Sequence, residues 1–369
     1  MNKKRKFVIW LGSSSFFGAE RRLMKLANLL TVEIKDVDIY LVIPHSLYLA
    51  SRENEPAKII FDKFDLDNKL IILPHNFNII LSKRLFLLFK LMLTKTKFML
   101  SLGAHKYFKI LKLFGNKPVL EITSPDIAKG MRRRMSPKFF SSISKFICVS
   151  PNVRRILLAG MNEGGYEKYN DKVVCYQAPF FSVPEKGVFQ KEKLIVSSSR
   201  MIKRKNVHLF AEAYKRIAHE LPEWKVMILG SGELELDIKE SLKELIEANV
   251  VEVGYNPDVT SVLKRSSLYV SFIYPDNYPS QGVVEAMSYC NALLLSNTGD
   301  SHKFIYQDEK GVNGELVSLD IDEMALKIKA FCTHYDKLLE MGGQSYKGVS
   351  LLCDKKKYLD YFLNINELA

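Results

Sequence analysis

Arg200 and Lys205 stand five residues apart in "SSSRMIKRKNVHLF", between the end of an apolar run and the start of a helical pattern. Two cations beside a helix N-terminus make an anion site, because the free amides and the helix dipole add to the side-chain charge. "ILGSGELE" follows, where Gly230, Ser231 and Gly232 form a tight strand-to-helix turn that lets backbone approach a ligand. A third stretch, "DNYPSQGVVEAM", runs from Asp276 to Met287. Ser280 is placed to cap a helix there, with Gln281, Gly282 and Val283 as its first turn. Glu285 lies about one turn further in, among the apolar Val283, Val284, Ala286 and Met287. A charge set among buried positions wants a partner, and a carboxylate accepts hydrogen bonds from vicinal hydroxyls such as those of a ribose. Cations, helix-terminal amides and a diol-binding acid together describe a site for a nucleoside diphosphate carrying a sugar.

The bland readings of the same residues are a solvated basic turn for "KRK", an ordinary glycine turn for "GSG" and a surface acid for Glu285. What weighs against them is position, since all three features fall on loops that follow expected strands. The chain alternates short Val/Ile/Leu-rich runs with amphipathic segments. "KFVIWLG", "GAERRLMKLANLL" and "DVDIYLVI" open it; "KPVLEIT", "SKFICVS", "PNVRRILLAG" and "DKVVCYQAP" follow. This is the grammar of parallel sheets with helices on both faces. "APFFSVPEKGVFQKE" interrupts it with prolines, a glycine and charges, as a linker does. The alternation restarts with "KLIVSSS" and continues through "NVHLFAEAYKRIAHEL", "WKVMILG", "ELELDIKESLKELIEA", "VVEVGY", "DVTSVLKRS", "SLYVSFI", "VVEAMSYC" and "ALLLSNT". The fold class expected is α/β, two doubly wound Rossmann-like domains facing a cleft. Residues 1–180 form the first and 181–355 the second, and a final helix at 356–369 packs back on the first. Ligands of such sheets bind beyond the carboxyl ends of the strands.

The chain has 369 residues, enough for two ordinary domains. Its five cysteines are scattered and never form a CxxC pair, which points to a reducing compartment and away from disulfides or a zinc site. No apolar run approaches the roughly 18 residues that span a bilayer, and the basic N-terminus lacks a signal-peptide core. A cytoplasmic location is expected. Net charge is +13, with 31 Lys and Arg against 14 Asp and Glu in residues 1–180 and 23 against 27 in the remainder. A basic half faces a polyanion or simply keeps the chain soluble. "LSKRLFLLFKLMLTKTKFML" mixes lysines with Leu, Phe and Met as interfacial helices do, and "KGMRRRMSPK" adds a second basic cluster. An anionic membrane surface is therefore an expected partner. Nucleic acid is not, because no helix-turn-helix, zinc-finger or aromatic RNA-binding motif is visible.

Taken as a set, these motifs resemble family 4 of the retaining glycosyltransferases (glycosyl transferases group 1, GT-B fold). "SRMIKRKN" resembles the family's GR…KG loop and "GSGE" its GxG turn. "GYNPDV", which contains Tyr255, matches GY-x-PDV; Glu285, Ala286 and Met287 match EAM; "GVNG" resembles G-x-NG. "FGAE", ending at Glu20, resembles the GGAE helix start of the first half. The resemblance covers most of residues 190–320 and is thinner before them. It implies that Arg200 and Lys205 contact the donor diphosphate, that Glu285 holds the ribose, and that Gly18 lets backbone approach the phosphates or sugar. It also implies donor contacts from Gly230, Ser231, Gly232, Tyr255 and the loop Asp276, Asn277, Ser280, Gln281, Gly282 and Val283.

The departures are specific. Counting back from Glu285 by the family's spacing of two glutamates lands on Asn277, and Asp276 serves only if the loop carries an extra residue. Lys303 replaces the acid of the GG-x-x-E loop. Where many members have a histidine, this chain has Ser124; neither His105 nor His75 sits there. Glu121, Ser124 and Asp126 are the nearby polar residues on the acceptor side.

The activity implied is sugar transfer from a nucleotide-diphosphate sugar to a glycan or lipid-linked acceptor, with retention, in polysaccharide, lipopolysaccharide or glycolipid assembly. It would take place at the inner face of the plasma membrane. Fixed cations do a metal's work, no carboxylate pair has a DxD-like spacing, and no metal or cofactor is expected. Two other readings stand beside it. One is a sugar-nucleotide epimerase, which would need more acids and histidines; the other is an inactive relative acting as a partner or scaffold.

Overall fold

A computed structural model of the chain describes residues 4–14, 18–52, 55–73, 83–101, 103–131 and 136–368. His75, Phe17, residues 81–82 of the basic apolar segment and residues 132–135 of the "KGMRRRMSPK" cluster lie outside the described residues. The chain divides into two compact units. One comprises residues 1–180 with 356–369, the other residues 181–355.

The first unit is built on seven parallel strands: β1 (Arg5–Trp10), β2 (Val37–Pro44), β3 (Leu70–Leu73), β4 (Thr96–Leu100), β5 (Val119–Ile122), β6 (Lys145–Cys148) and β7 (Val173–Cys175). Their order is β3-β2-β1-β4-β5-β6-β7. The chain winds outward from β1 in one direction and resumes at β4 in the other. The strands are apolar runs because both faces are covered; Phe7, Val8 and Ile9 are completely buried. At the switch between β1 and β4 two loops meet backbone to backbone. A Cβ on Gly12 would stand 1.8 Å from the Ala104 amide nitrogen, and Gly103 has φ +85°.

Residues 81–100 do not form one interfacial helix. The helix covers Lys83–Met92, and residues 96–100 are β4, paired with β1 and β5 in the sheet interior. The reason is packing, since Phe98, Met99 and Leu100 are buried as a central strand requires. The Lys355–Ile365 helix packs onto this unit. Phe362 meets Phe7 edge to face at 5.7 Å, and the Lys145 ammonium donates to the Ile365 carbonyl.

The second unit restarts the pattern with β8 (Leu194–Ser198), β9 (Lys225–Leu229), β10 (Val251–Gly254), β11 (Leu268–Ser271), β12 (Ala292–Ser296), β13 (Gln307–Asp308), β14 (Gly311–Val312) and β15 (Gly314–Val317). The parallel sheet runs β10-β9-β8-β11-β12-β15, and β13 and β14 make a separate antiparallel pair. Its switch point lies between β8 and β11, the place where doubly wound sheets take ligands. The segment "ELELDIKESLKELIEA" is two helices, Glu235–Ser241 and Lys243–Glu247. They part at Leu242, which leaves helical dihedrals and is buried.

Inside the first unit the Arg22 guanidinium pairs with the Glu121 carboxylate, both buried. Burial, the largest single effect, would lower the pKa of Arg22, but the Glu121 charge, Tyr358, Tyr176 and the hydrogen bond to Glu121 together more than reverse it. Tyr176 and Tyr358 meet beside the pair with ring centroids 5.2 Å apart and their planes tilted by 34°, their phenols pushed up first by burial. Removing one partner of such a pair strands a charge and costs about 3–5 kcal/mol. Arg22→Met or Glu121→Leu alone should therefore lower unfolding stability sharply. The double substitution should lose less than the sum of the two, as read from a denaturant-melt double-mutant cycle.

Candidate functional site

The cationic loop leaves the carboxyl end of β8 and is held by its neighbours' backbone. The Ser199 amide donates to the Leu229 carbonyl (3.0 Å) and the Met201 amide to the Ser231 carbonyl (2.9 Å). Gly230 and Gly232 have φ +144° and +154°, and a Cβ on them would stand 2.0 Å from the Ser199 oxygen and 2.5 Å from the Met201 oxygen. The sequence reading assigned these glycines to a ligand; the backbone they admit closely is that of the Ser199–Met201 loop. Ser231 between them is exposed.

Lys205 ends a single 3-10 turn, Lys203–Lys205, one residue before the left-handed Asn206 at the cap of the Val207–Ile217 helix. Asn206 Nδ2 donates to the Phe272 carbonyl (2.8 Å), and the Tyr274 amide donates to the Arg204 carbonyl (3.0 Å). These two bonds tie the cationic loop to the chain leaving β11. Burial, and then repulsion from Arg204 and Arg200, push the Lys205 ammonium down to about 7. Three cations crowd one locus there, and Arg200 itself is exposed.

The β11 loop is braced from within. Asp276 is buried, and its Oδ1 accepts from the amides of Tyr278 and Asp300, both at 3.0 Å. Gly299, at φ +53°, leaves room for it; a Cβ there would fall 2.4 Å from the Asp276 carboxyl carbon. Asn277 is buried as well, donating to the Ser271 hydroxyl (3.1 Å) and carbonyl (3.3 Å). Both side chains thus hold the loop, which departs from the sugar-contacting role expected of them. Ser280 occupies the cap position of the Gln281–Ser288 helix, but its side chain makes no capping bond. Gln281 and Gly282 are partly exposed. Val283 is fully buried, which departs from the ligand-contacting role expected of it. A Cβ on Gly282 would stand 2.6 Å from the Tyr269 hydroxyl, which donates to the Ser198 carbonyl at the end of β8.

Glu285 is partly exposed on that helix and accepts from Thr260 Oγ1 at 3.1 Å. The apolar neighbours that singled it out are all buried. Thr260 belongs to the Val259–Arg265 helix, and only the fold brings it to Glu285. Lys191, from the inter-unit linker, is a second residue that no motif marks. Its ammonium donates to the carbonyls of Ser266 (2.6 Å), Tyr289 (2.5 Å) and Leu263 (3.2 Å), at the ends of the helices carrying Thr260 and Glu285. Burial pushes it down to about 8. Tyr255 follows β10 and is 66% exposed. Arg200, Lys205, Gly230–Gly232, Tyr255, the 276–282 loop and Glu285 therefore share the carboxyl edge of one sheet.

The remaining residues belong to the other unit. Gly18 opens the Gly18–Glu33 helix, exposed, with nothing within 4 Å of where a Cβ would stand. Glu121 is corrected: its side chain is completely buried against Arg22 and is not available to an acceptor. Ser124 Oγ accepts from the Ile127 amide (3.3 Å), capping the Pro125–Met131 helix, and Asp126 is exposed in that helix's first turn. No cluster of three or more His, Cys, Asp or Glu that could hold a metal ion occurs among the described residues.

Asp276→Ala strands two buried amides at roughly 1–3 kcal/mol each. Asp276→Asn keeps an acceptor oxygen in place. The alanine variant should melt well below wild type while the asparagine variant melts close to it. Equal melting of the two by calorimetry would remove the brace.

The sequence profile of the glycosyl transferases group 1 matches residues 181–348. A glycosyltransferase of Haemophilus influenzae is 25% identical over 183 residues, 48% of this chain and 51% of that protein. One of Methanocaldococcus jannaschii is 26% identical over 104 residues, 28% of this chain and 25% of that protein. The matches thus span at most about half the length of these relatives. Three solved structures share the fold. Pneumococcal GtfA, an O-GlcNAc transferase with UDP and GlcNAc, has TM-score 0.71, 12% identity and coverage of 100% and 99% of the two chains. Anabaena HepE with UDP and glucose has 0.70, 14%, and 99% and 100%. A Staphylococcus aureus TarM variant with UDP, alpha-GlcNAc-glycerol and Fondaparinux has 0.70, 12%, and 98% and 99%. The fold class is that of the GT-B glycosyltransferases, and residues 181–348, a little under half of the chain, are similar to the glycosyl transferases group 1.

Proposed function

We propose that the chain transfers a hexosyl-type sugar from a nucleotide-diphosphate sugar to a glycan or lipid-linked acceptor, with retention and without a metal ion. The reaction serves the assembly of a cell-surface polysaccharide or glycolipid. The observation that carries this reading is the cation cluster of Arg200, Arg204 and Lys205 at the switch point of the second sheet, where Lys205 is held near neutrality until an anion arrives. The UDP in the related structures fits the same chemistry.

Transfer breaks the sugar–phosphate bond through an oxocarbenium-like state, and negative charge grows on the departing diphosphate. Arg200 and Lys205 face that charge without reorganising, which is where preorganised donors lower a barrier most. Amides of Gln281 and Gly282 at the helix start add to them. Glu285, oriented by Thr260, holds the ribose diol. In the retaining route the departing phosphate takes the acceptor's proton on the same face, so Ser124 in place of a histidine is no obstacle. The first unit receives the acceptor.

Arg200→Ala and Lys205→Ala should each reduce turnover about a hundredfold or more, and Glu285→Ala should weaken UDP binding by calorimetry with little change in melting. Turnover should persist in excess chelator. Near-normal activity of either cation variant removes the diphosphate assignment.

Lys205 also sets a pH dependence. Its pKa is about 7 in the ligand-free protein, and a bound diphosphate raises it. Just below pH 7 the ammonium is already formed and binding is strongest. Above pH 7 binding must take up a proton, so UDP affinity falls as pH rises toward 9. The terminal phosphate, with its second ionisation near about 6, is constant over that window. Lys205→Arg should flatten the profile. Calorimetry in buffers of different ionisation enthalpy should show proton uptake in wild type at pH 8 and none in the variant.

A further inference from the structure

The first unit carries two helices on which large apolar side chains and lysines are exposed together. On the Lys83–Met92 helix and just past it, Phe86, Phe89 and Leu93 are 64%, 49% and 63% exposed. Their spacing of three and four residues places them along one helix face. The Phe108–Leu113 helix adds Ile110 and Leu113, the latter 83% exposed. The two helices meet: Phe89 packs edge to face on Phe114 at 5.1 Å, and Asn116 Nδ2 donates to the Met92 carbonyl at 2.7 Å. The apolar side chains are thus parts of one patch. Soluble domains rarely leave side chains of this size clustered in water without a use for them.

The stretch of chain that carries these side chains is charged with one sign. Residues 68–120 contain ten Lys and Arg and no Asp or Glu. Lys90, Lys109 and Lys112 lie on the two helices, exposed, with no ion pair among the described residues. Lys97 differs, being paired with Glu367 away from the patch. No helix is long and apolar enough to cross a membrane among the described residues.

We propose that this two-helix face docks on an anionic lipid bilayer, with Phe86, Leu93 and Leu113 entering the headgroup–acyl boundary and Lys90, Lys109 and Lys112 meeting lipid phosphates. A second copy of the chain suits the patch poorly, because pairing the same face would set lysines against lysines with no acid in residues 68–120 to separate them. A bilayer supplies both an apolar phase for the rings and fixed negative charge for the ammonium groups. The docking goes beyond sugar transfer and does not depend on it.

The test uses the full chain and vesicles of phosphatidylcholine with or without phosphatidylglycerol, followed by co-sedimentation at low and high salt. Wild type should bind the phosphatidylglycerol vesicles far more tightly than the neutral ones, with a part of the binding that survives high salt. Lys90→Glu/Lys109→Glu/Lys112→Glu should weaken it at least about tenfold, since each cation near such a surface contributes about fivefold. Phe86→Ser/Leu93→Ser/Leu113→Ser should remove the salt-resistant part. Both variants change exposed side chains, so melting and UDP binding should match wild type. Vesicle binding unchanged in either variant, or equal on both vesicle types, overturns the proposal. So does a wild-type dimer by light scattering that the serine variant makes monomeric without any vesicle binding, which would give the face to a second copy. Loss of UDP binding in wild type would instead overturn the transfer reading and leave the docking result standing.

Discussion

The close approach of Gly230 to the Ser199 carbonyl is the constraint on which the candidate site depends. In a parallel sheet every loop of one edge leaves from the same side, and the loops must pass one another. Where β8 and β9 end, they pass with no room for a side chain, since a Cβ on Gly230 would stand 2.0 Å from the Ser199 oxygen. That contact, together with the Met201–Ser231 bond, presses the cationic turn into one path. The same turn is joined to the strand beyond by Asn206 and Arg204. Three strand ends are therefore one backbone assembly, and it fixes the path of the turn that carries Arg200, Arg204 and Lys205. A site built this way has met the cost of gathering like charges during folding, before any ligand binds.

The β11 loop shows how a motif departs from its family without the loop losing its shape. An acid is present at Asp276, but it is turned inward onto two amides, and Asn277 is turned onto Ser271. Glu285 stays partly exposed, beside Thr260. Of the two carboxylates in the stretch, Asp276 is buried and Glu285 partly exposed. The helix that carries it is anchored at its far end by Lys191, whose ammonium satisfies carbonyls where the 259–265 and 281–288 helices terminate. A cation at a helix C-terminus is favourable in itself; here one lysine serves two helices and so couples their positions.

The first unit spends its buried charge differently. Arg22 and Glu121 neutralise each other between the first helix and β5, and the chain's final helix covers them with Tyr358. The chain returns across 175 residues of the other unit to complete a core it began. Of the acceptor-side candidates near the end of β5, Ser124 caps a helix and Asp126 is exposed in its first turn.

Much was legible in the sequence because it rests on local chemistry. Apolar runs such as "KFVIWLG" and "ALLLSNT" can only be strands buried on both faces, and the alternation with amphipathic stretches implies two doubly wound sheets. Arg200, Lys205 and Glu285 were visible for a related reason: a charge at a strand end, or among buried neighbours, contradicts its surroundings. What the sequence could not contain were contacts between residues far apart in the chain. Glu121 looked like a polar group near a loop until Arg22, 99 residues away, was found beside it. Gly230 and Gly232 are ligand-approach glycines by pattern and loop-crossing glycines in space. Residues 81–100 have the composition of an interfacial helix, yet their second half is drawn into the sheet between β1 and β5 because a strand is needed there. Local residue chemistry determined which elements form and which charges are out of place. Tertiary packing alone decided which of those charges are neutralised inside and which stay at least partly exposed, because that depends on neighbours the chain supplies only after it has folded.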